Sequence, residues 1–208
     1  LHLAAQGVLT AHYLPAASAA SRSIGVRWVE GTAVRALADL PEARDDSFAL
    51  AVASVGGRAV IAWDEARETG SAIAVAVVSW GAEGGAAPRP RIVSPAGSSA
   101  EQPVLALRPG GVWVLWIASR PEDADAEAAA GLRREGPAET RRASWVEGQA
   151  LDEAGQPVGP VRALTSRRGH VAHIAAAPAA EKGAVFVVRD ETEAREGAGG
   201  SLVRVHLG

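Results

Sequence analysis

The feature that most constrains this chain is a series of short apolar runs, each closed by turn residues, which is completed once and then begins again. The runs of the first copy are residues 48–54, 59–63, 72–80 and 91–94. The order restarts with residues 103–107 and 112–116, so that Trp116 takes the place of Trp63. Short apolar runs bounded by Gly, Pro and Asp predict the strands of an antiparallel meander.

A four-stranded meander that returns after about 50 residues is typical of a β-propeller blade. We therefore predict an all-β fold of about four four-stranded antiparallel sheets, the last of which lacks a strand. The predicted blades are residues 1–46, 47–101, 102–169 and 170–208. Because the sequence starts inside a predicted strand and without methionine, we expect it to be the C-terminal part of a larger propeller.

Composition excludes several classes of function. The formal net charge of −3 gives no sign of the basic surface that nucleic-acid-binding proteins carry. The chain has no cysteine, so it has neither disulfides nor thiolate metal ligands nor a cysteine nucleophile. No apolar stretch approaches the roughly 18 residues of a membrane-spanning helix, and we predict no membrane span.

The connections between the second and third strands of each blade are predicted to be long and charged. They are residues 15–22, 64–70, 119–142 and 189–200. Neighbouring antiparallel strands alternate in direction, so these connections emerge at one end of the sheets. Binding residues are often carried on loops of a rigid scaffold, and simple solvation of the charges is the alternative. The candidate binding residues are Asp64, Glu65, Arg67, Arg120, His170, Arg189 and Asp190.

The six tryptophans admit two interpretations, packing between sheets or stacking on sugar rings. Most of them lie inside apolar strands, which favours packing. Trp63 and Trp116 occupy equivalent positions in the two copies, and we predict that both are buried.

Histidines and arginines near residue 170 are candidate ligands for ions. His170 and His173 are three residues apart in a predicted strand and would point to opposite faces, while a zinc site needs three or four ligands. We therefore predict no metal and no other cofactor. Arg167 and Arg168 lie beside His170, where they would bind an anion or simply form a solvated turn.

Three segments carry a resemblance to a known family. They are residues 62–64 (AWD), the hairpin at 152–158 (DEAGQPV) and the strand end at 164–166 (LTS). Together they resemble the sialidase-like, BNR-type repeat propellers of bacterial exported proteins, and the resemblance implies a propeller and an exported location. The Asp-box pattern Ser-x-Asp-x-Gly-x-x-Trp is absent, and the single tyrosine, Tyr13, has no suitable Glu or Arg near it in sequence. The resemblance therefore does not imply sialidase chemistry.

Two functions remain open. The first is a non-enzymatic binding or scaffolding module that uses its loops or its edge to hold a protein partner, or the remaining blades of the same precursor. The second is part of a glycan-acting enzyme, of glycosidase or lyase type, with its site at a central channel. Such an enzyme needs convergent carboxylates or a Tyr/His pair. The predicted innermost strands contain no Asp or Glu, which favours the binding module, and we assign no catalytic residue.

Overall fold

A computed structural model describes residues 2–4, 7–18, 21–43, 49–68, 70–80, 88–120, 143–178, 184–190 and 201–207. Within these residues the chain is all β, with fifteen strands in four antiparallel sheets and no helix. Three sheets have four strands and the last has three. The prediction of an all-β fold built from antiparallel sheets is confirmed.

Each sheet takes its strands in chain order. Sheet 1 contains β1 (His2–Ala4), β2 (Gly7–Ser18), β3 (Ser21–Glu30) and β4 (Ala33–Ala43). Sheet 2 contains β5 (Leu50–Val55), β6 (Arg58–Arg67), β7 (Gly70–Ser79) and β8 (Arg91–Ile92). Sheet 3 contains β9 (Ser99–Arg108), β10 (Gly111–Ser119), β11 (Ser144–Asp152) and β12 (Arg162–Ala163). Sheet 4 contains β13 (Val171–Pro178), β14 (Ala184–Asp190) and β15 (Ser201–Leu207).

The turn between β5 and β6 shows why glycine follows the first apolar run. Gly56 and Gly57 have φ values of 53° and 70°, in the left-handed region that glycine enters without steric cost. Two consecutive residues with positive φ match the twist of the flanking strands, so the chain reverses in two residues.

The second strands are longer than predicted. The segments 15–22 and 64–70 were predicted to be loops, but β2 continues to Ser18 and β6 continues to Arg67. The ladder of β6 with β7 extends to the pair Arg67–Gly70. Backbone hydrogen bonds do not depend on side-chain polarity, so charged residues at the end of β6 did not stop the strand. Residues 121–142 and 191–200 lie outside the described residues.

Consecutive sheets pack face to face and bury three apolar clusters, one at each junction. Alternate residues of a strand point to opposite faces, so the inner sheets contribute to two clusters. In β6, Ile61 and Trp63 pack against sheet 1, whereas Val60 and Ala62 pack against sheet 3. A sheet used on both faces must be apolar at nearly every position, which explains the continuous Val/Ala runs of the sequence.

Trp63 and Trp116 are both 0% exposed, and the prediction that they are buried is confirmed. Trp63 pairs with Ala74 on the third strand of sheet 2, and Trp116 pairs with Glu147 on the third strand of sheet 3. Each indole belongs to the cluster shared with the preceding sheet. The two side chains therefore occupy equivalent positions between sheets.

The short outer strands of sheets 2 and 3 are attached by equivalent hydrogen bonds. In sheet 2 the Val93 N–H donates to the Ile73 carbonyl at 2.9 Å, and the Ile73 N–H donates to Ser94 Oγ at 2.9 Å. The corresponding bonds of sheet 3 run from Leu164 N to Val146 O and from Val146 N to Thr165 Oγ1, both 2.8 Å. A Ser or Thr hydroxyl thus accepts the backbone N–H of Ile73 or Val146, which the backbone of the two-residue outer strand does not bind.

Candidate functional site

The candidate residues lie at one end of the sheets, which we call the loop end. It is the end at which the second strands β2, β6, β10 and β14 finish and the third strands begin. Asp64, Glu65 and Arg67 close β6, and Arg120 follows β10 directly. His170 stands immediately before β13, which starts at the same end because strand directions alternate.

Asp64 is bonded to the first strand of its own sheet. Its Oδ1 accepts the Ala49 N–H at 3.0 Å, and its own N–H donates to the Ala49 carbonyl at 3.4 Å. The residue is 9% exposed. These bonds fix the start of β5 against β6, so they give Asp64 a structural role.

Glu65 and Arg67 form an ion pair, with Oε1 and Nη2 at 3.2 Å. They are two residues apart in a strand and therefore share a face. The side chains are 15% and 40% exposed, and exposed pairs of this kind contribute about 0–1 kcal/mol to stability. Because each charge is partly neutralised by the other, this pair is a weak candidate for ligand binding.

Arg189 and Asp190 close β14, where their backbones pair with Leu202 and Ser201. They therefore reach the loop end as predicted from the meander. Their side chains lie outside the described part of the structure.

The most developed arrangement at the loop end centres on Trp145 and Glu147 of β11. Two residues apart on one strand, they share the face that packs against sheet 2. Trp145 is 2% exposed and Glu147 is 3% exposed. The Trp145 Nε1–H donates to Glu147 Oε1 at 2.9 Å, which fixes the indole and the carboxylate relative to each other.

Two arginines approach this buried pair from the surface. The guanidinium carbons of Arg120 and Arg167 each lie 5.9 Å from the centroid of the Trp145 ring, within the range of cation–π attraction. Arg167 Nη2 is also 3.4 Å from Glu147 Oε1, and its side chain is 55% exposed. We call Arg120, Trp145, Glu147 and Arg167 the arginine–tryptophan cluster.

The position of Arg167 is set by a turn that is bonded to the start of β11. The Ser144 N–H donates to the Gly169 carbonyl at 2.8 Å, and Ser144 Oγ donates to the Val171 carbonyl at 2.9 Å. Inside the turn, the Gly169 N–H donates to the Ser166 carbonyl at 3.0 Å. The backbone that carries Arg167 is thus fixed to the same strand that carries Trp145.

The histidines do not form a metal site in the described structure. His170 is half-buried and is bridged to Ser144, whereas His173 is exposed beyond a register shift in β13. Within the described ranges, no group of three or more His, Cys, Asp or Glu residues is placed to hold a metal ion.

Sequence reasoning found part of the cluster and missed part. Arg120 was named as a candidate, Arg167 was considered as an anion ligand, and Trp145 was expected to pack in the core. Glu147 was not singled out. The available signal was a carboxylate two residues after a tryptophan in an otherwise apolar strand, because that spacing puts both on one face.

The cluster has the chemistry of an anion site. Guanidinium groups are planar, permanently charged donors that bind carboxylate, sulfate or phosphate in a bidentate manner. The indole is covered, so it orients the arginines and offers no surface to a sugar ring. Glu147 Oε1 accepts from both Trp145 and Arg167, and Glu147 Oε2 is buried without a hydrogen-bond partner among the described residues.

No protein-family model matches the chain, and no curated protein matches it in sequence. A fold alone does not define a function, so the side chains of the site carry the functional information in this chain. In the part of the chain that the structure describes, no helix is long and apolar enough to cross a membrane. Fold and site together define an all-β protein with two surface arginines held over a buried tryptophan.

Proposed function

We propose that this chain is a β-propeller segment of the BNR-like, exported type that acts as a non-enzymatic binding or scaffolding module, and that its loop end holds an anionic group of a protein partner. The observation that carries the proposal is the arginine–tryptophan cluster. Two guanidinium groups lie at the same 5.9 Å from one buried indole, and one of them is also held by a buried carboxylate. Because the arginine side chains are already held in place, they lose less conformational entropy when a ligand binds.

The propeller arrangement is supported by the order of contacts between sheets. Successive first strands lie against each other, β1 against β5, β5 against β9 and β9 against β13. The sheets also pack in chain order through their faces. Sheets that radiate from an axis lined by their first strands account for both sets of contacts. A crystal structure of the chain tests this part, and a two-layer sandwich would contradict it.

The charge of the cluster supports an anionic ligand. Two arginines and one glutamate leave one positive charge in excess, and the glutamate lies beneath the surface. Among the described residues Arg120 forms no ion pair, so its guanidinium donors are available to a ligand. A carboxylate of a protein partner, from Asp, Glu or a chain terminus, fits two planar donors without requiring an exposed aromatic surface.

The proposal is tested by the fluorescence anisotropy of a labelled peptide that contains four consecutive glutamates, titrated with the 208-residue chain at low salt. The variants are Arg120→Gln and Arg167→Gln, and each is expected to weaken binding about tenfold, the effect of losing one charge-assisted hydrogen bond. Arg167→Lys keeps the charge and loses the planar fork, so we expect an intermediate loss.

Arg35→Gln is the matched control because Arg35 is exposed on β4 and is distant in sequence from the cluster. If the arginine–tryptophan cluster binds the peptide, Arg35→Gln should bind it with the same affinity as the unaltered chain. If all three arginine-to-glutamine variants weaken peptide binding equally, the peptide is attracted by the overall charge of the chain and the proposed site is wrong. An exported location is checked separately, by fractionation of cells that produce the full precursor.

A further inference from the structure

The outer edge of β15 differs from the same edge in the other sheets. The third strands of sheets 1, 2 and 3 each have a fourth strand on their outer side, whereas β15 is paired only with β14 among the described residues. A row of backbone N–H and C=O groups on such an edge is a template for another strand.

The strand registers show which residues of β15 correspond to the attachment points in sheets 2 and 3. Ile73 pairs with Asp64, the residue after Trp63, and Val146 pairs with Ile117, the residue after Trp116. In sheet 4 the position of these tryptophans is taken by Val188, which is buried against sheet 3. The next residue, Arg189, pairs with Leu202, so Leu202 corresponds to Ile73 and Val146.

Exposure at this position separates sheet 4 from the others. Ile73 and Val146 are 0% exposed, but Leu202 is 74% exposed and its neighbour Val203 is 41% exposed. Ile73 and Val146 are covered by the following sheet and, in part, by Val93 and Leu164 from the outer segments of their own sheets, and among the described residues Leu202 has neither cover. Leu202 thus presents an apolar side chain and a free backbone edge where two equivalent residues are covered and bonded.

The two outer segments that do occupy this position share a chemical pattern. They read Arg-Ile-Val-Ser in residues 91–94 and Arg-Ala-Leu-Thr in residues 162–165. The third residue packs beside the Ile73 or Val146 side chain and donates its N–H to that residue's carbonyl. The fourth residue supplies the hydroxyl that accepts the opposing N–H. The arginines reach different groups, a carbonyl of Gly155 and the ring of Trp113, so attachment depends on the last two residues.

We propose that the outer edge of β15 is a strand-addition site for a partner polypeptide. The partner contributes an extended segment with an apolar residue followed by Ser or Thr, antiparallel to β15. Its apolar residue packs on Leu202 and its N–H donates to the Leu202 carbonyl, while its hydroxyl accepts the Leu202 N–H. Backbone pairing supplies affinity and the side-chain pair supplies specificity, as in other cases of strand addition.

A second copy of this chain does not fit the role as well as a separate partner. The two segments of matching pattern are already paired as β8 and β12 with their own sheets. Pairing of β15 with β15 of another copy would offer no hydroxyl at the required place, because no Ser or Thr follows an apolar residue in Ser201–Leu207.

The test uses synthetic peptides of residues 88–97 and 159–168, labelled with fluorescein, and the full 208-residue chain. Both peptides are expected to bind. N-methylation of the residue corresponding to Val93 or Leu164 removes the donated N–H and is expected to weaken binding about tenfold. Replacement of the terminal hydroxyl residue by Ala, which removes the acceptor, is expected to have a similar effect.

On the protein, Leu202→Pro removes the outward N–H, and Leu202→Ala keeps the backbone but loses the apolar contact. We expect Leu202→Pro to weaken binding at least about tenfold and Leu202→Ala to weaken it less. Because the proline variant risks misfolding, hydrogen exchange on the unaltered chain provides a second measurement. Bound peptide should slow exchange at Leu202 and Arg204, the alternate amides that face outward in this register.

Three results of the peptide experiments would overturn the inference, and a fourth comes from sedimentation. The first is an absence of peptide binding, and the second is equal binding of the N-methylated and unmodified peptides. The third is protection of β7 or β11 amides in place of β15, which would mean that the peptides displace β8 or β12. Sedimentation completes the test: self-association that Leu202→Pro abolishes would make a second copy the occupant and the proposed partner wrong.

Discussion

Replacing Trp145 and Trp116 in turn by phenylalanine separates the arginine–tryptophan cluster from ordinary core packing. Both indoles lie in sheet 3 on the face toward sheet 2, and they are 2% and 0% exposed. The substitution removes the same atoms at both sites. The sites differ in hydrogen bonding, because Trp145 Nε1 donates to Glu147 Oε1 and Trp116 Nε1 has no partner among the described residues.

The expected magnitudes follow from this difference. Phenylalanine fills less volume than tryptophan, so each variant loses packing and a similar amount of unfolding free energy. That contribution nearly cancels when the two variants are compared. Trp145→Phe in addition leaves a buried carboxylate oxygen without its indole donor, and hydrogen bonds to charged groups contribute about 1.5–3 kcal/mol. Trp116→Phe removes a buried N–H that has no partner, which offsets part of its lost packing. We therefore expect Trp145→Phe to lower the free energy of unfolding by about 2 kcal/mol more than Trp116→Phe.

Urea unfolding followed by far-ultraviolet circular dichroism measures the difference. With an m-value of about 2 kcal/mol/M, the two midpoints should be separated by about 1 M. The comparison is valid when both variants keep the m-value of the unaltered chain, since a changed slope indicates a changed folded or unfolded state. Equal midpoints, or a larger loss in Trp116→Phe, would show that the Trp145–Glu147 bond does not stabilise the cluster.

Three further variants test the packing between and within sheets. Trp63→Ala should lower the free energy of unfolding by about 3–5 kcal/mol because it empties a fully buried position between sheets 1 and 2, and urea unfolding measures this. Ser94→Ala removes the acceptor of the Ile73 N–H, so we expect a loss of about 1–3 kcal/mol and faster hydrogen exchange at Ile73; unchanged exchange there would contradict the assigned bond. Gly111→Ala places a Cβ against the backbone carbonyl of Leu151, which has little freedom to move, and a loss of about 3 kcal/mol should lower Tm by roughly 6–12 °C in a thermal scan.

The sheets were predictable because their signals are local. Apolar runs of strand length, closed by glycine turns, identify a meander without knowledge of the contacts between sheets. Trp116 in the second copy of the pattern is equivalent to Trp63 in the first, and this equivalence allows the two copies to be aligned. The ends of the strands were not predictable, because the charged residues at the end of β6 resemble a loop, whereas the backbone ladder continues to Arg67.

The equivalence of the outer segments was harder to see. Residues 91–94 and 162–165 share only the arginine, and their common feature is a hydroxyl that accepts a backbone N–H. The tetrapeptides that repeat by letter are less informative. Val-Arg-Ala-Leu occurs at 34–37 and 161–164, yet Arg35 pairs with Trp28 whereas Arg162 pairs with Gly148, so the two copies differ in register. In the two outer segments, the hydrogen bond to a hydroxyl is the same although the residues that surround it differ.

The candidate site was predictable in part for a similar reason. Charge and loop position identify Arg120 and His170 from the sequence. The contact of Arg120 with Trp145 depends on the pairing of β10 with β11, which are separated in the chain by residues 120–143. No local pattern reports which side chains such a long connection brings together.

Glu147 is the residue at which the proposed binding role of the arginine–tryptophan cluster differs most from ordinary packing between sheets. Its equivalents at the same register position are Ala74 in sheet 2 and Val203 in sheet 4, so the fold accepts a small or apolar side chain there. Burying a carboxylate costs free energy unless its oxygens are bonded, and one oxygen of Glu147 has no hydrogen-bond partner among the described residues. We expect a buried carboxylate that the sheet does not require at a position where it holds other groups for binding. In sheet 3 those groups are the Trp145 indole and the Arg167 guanidinium, both bonded to the same oxygen.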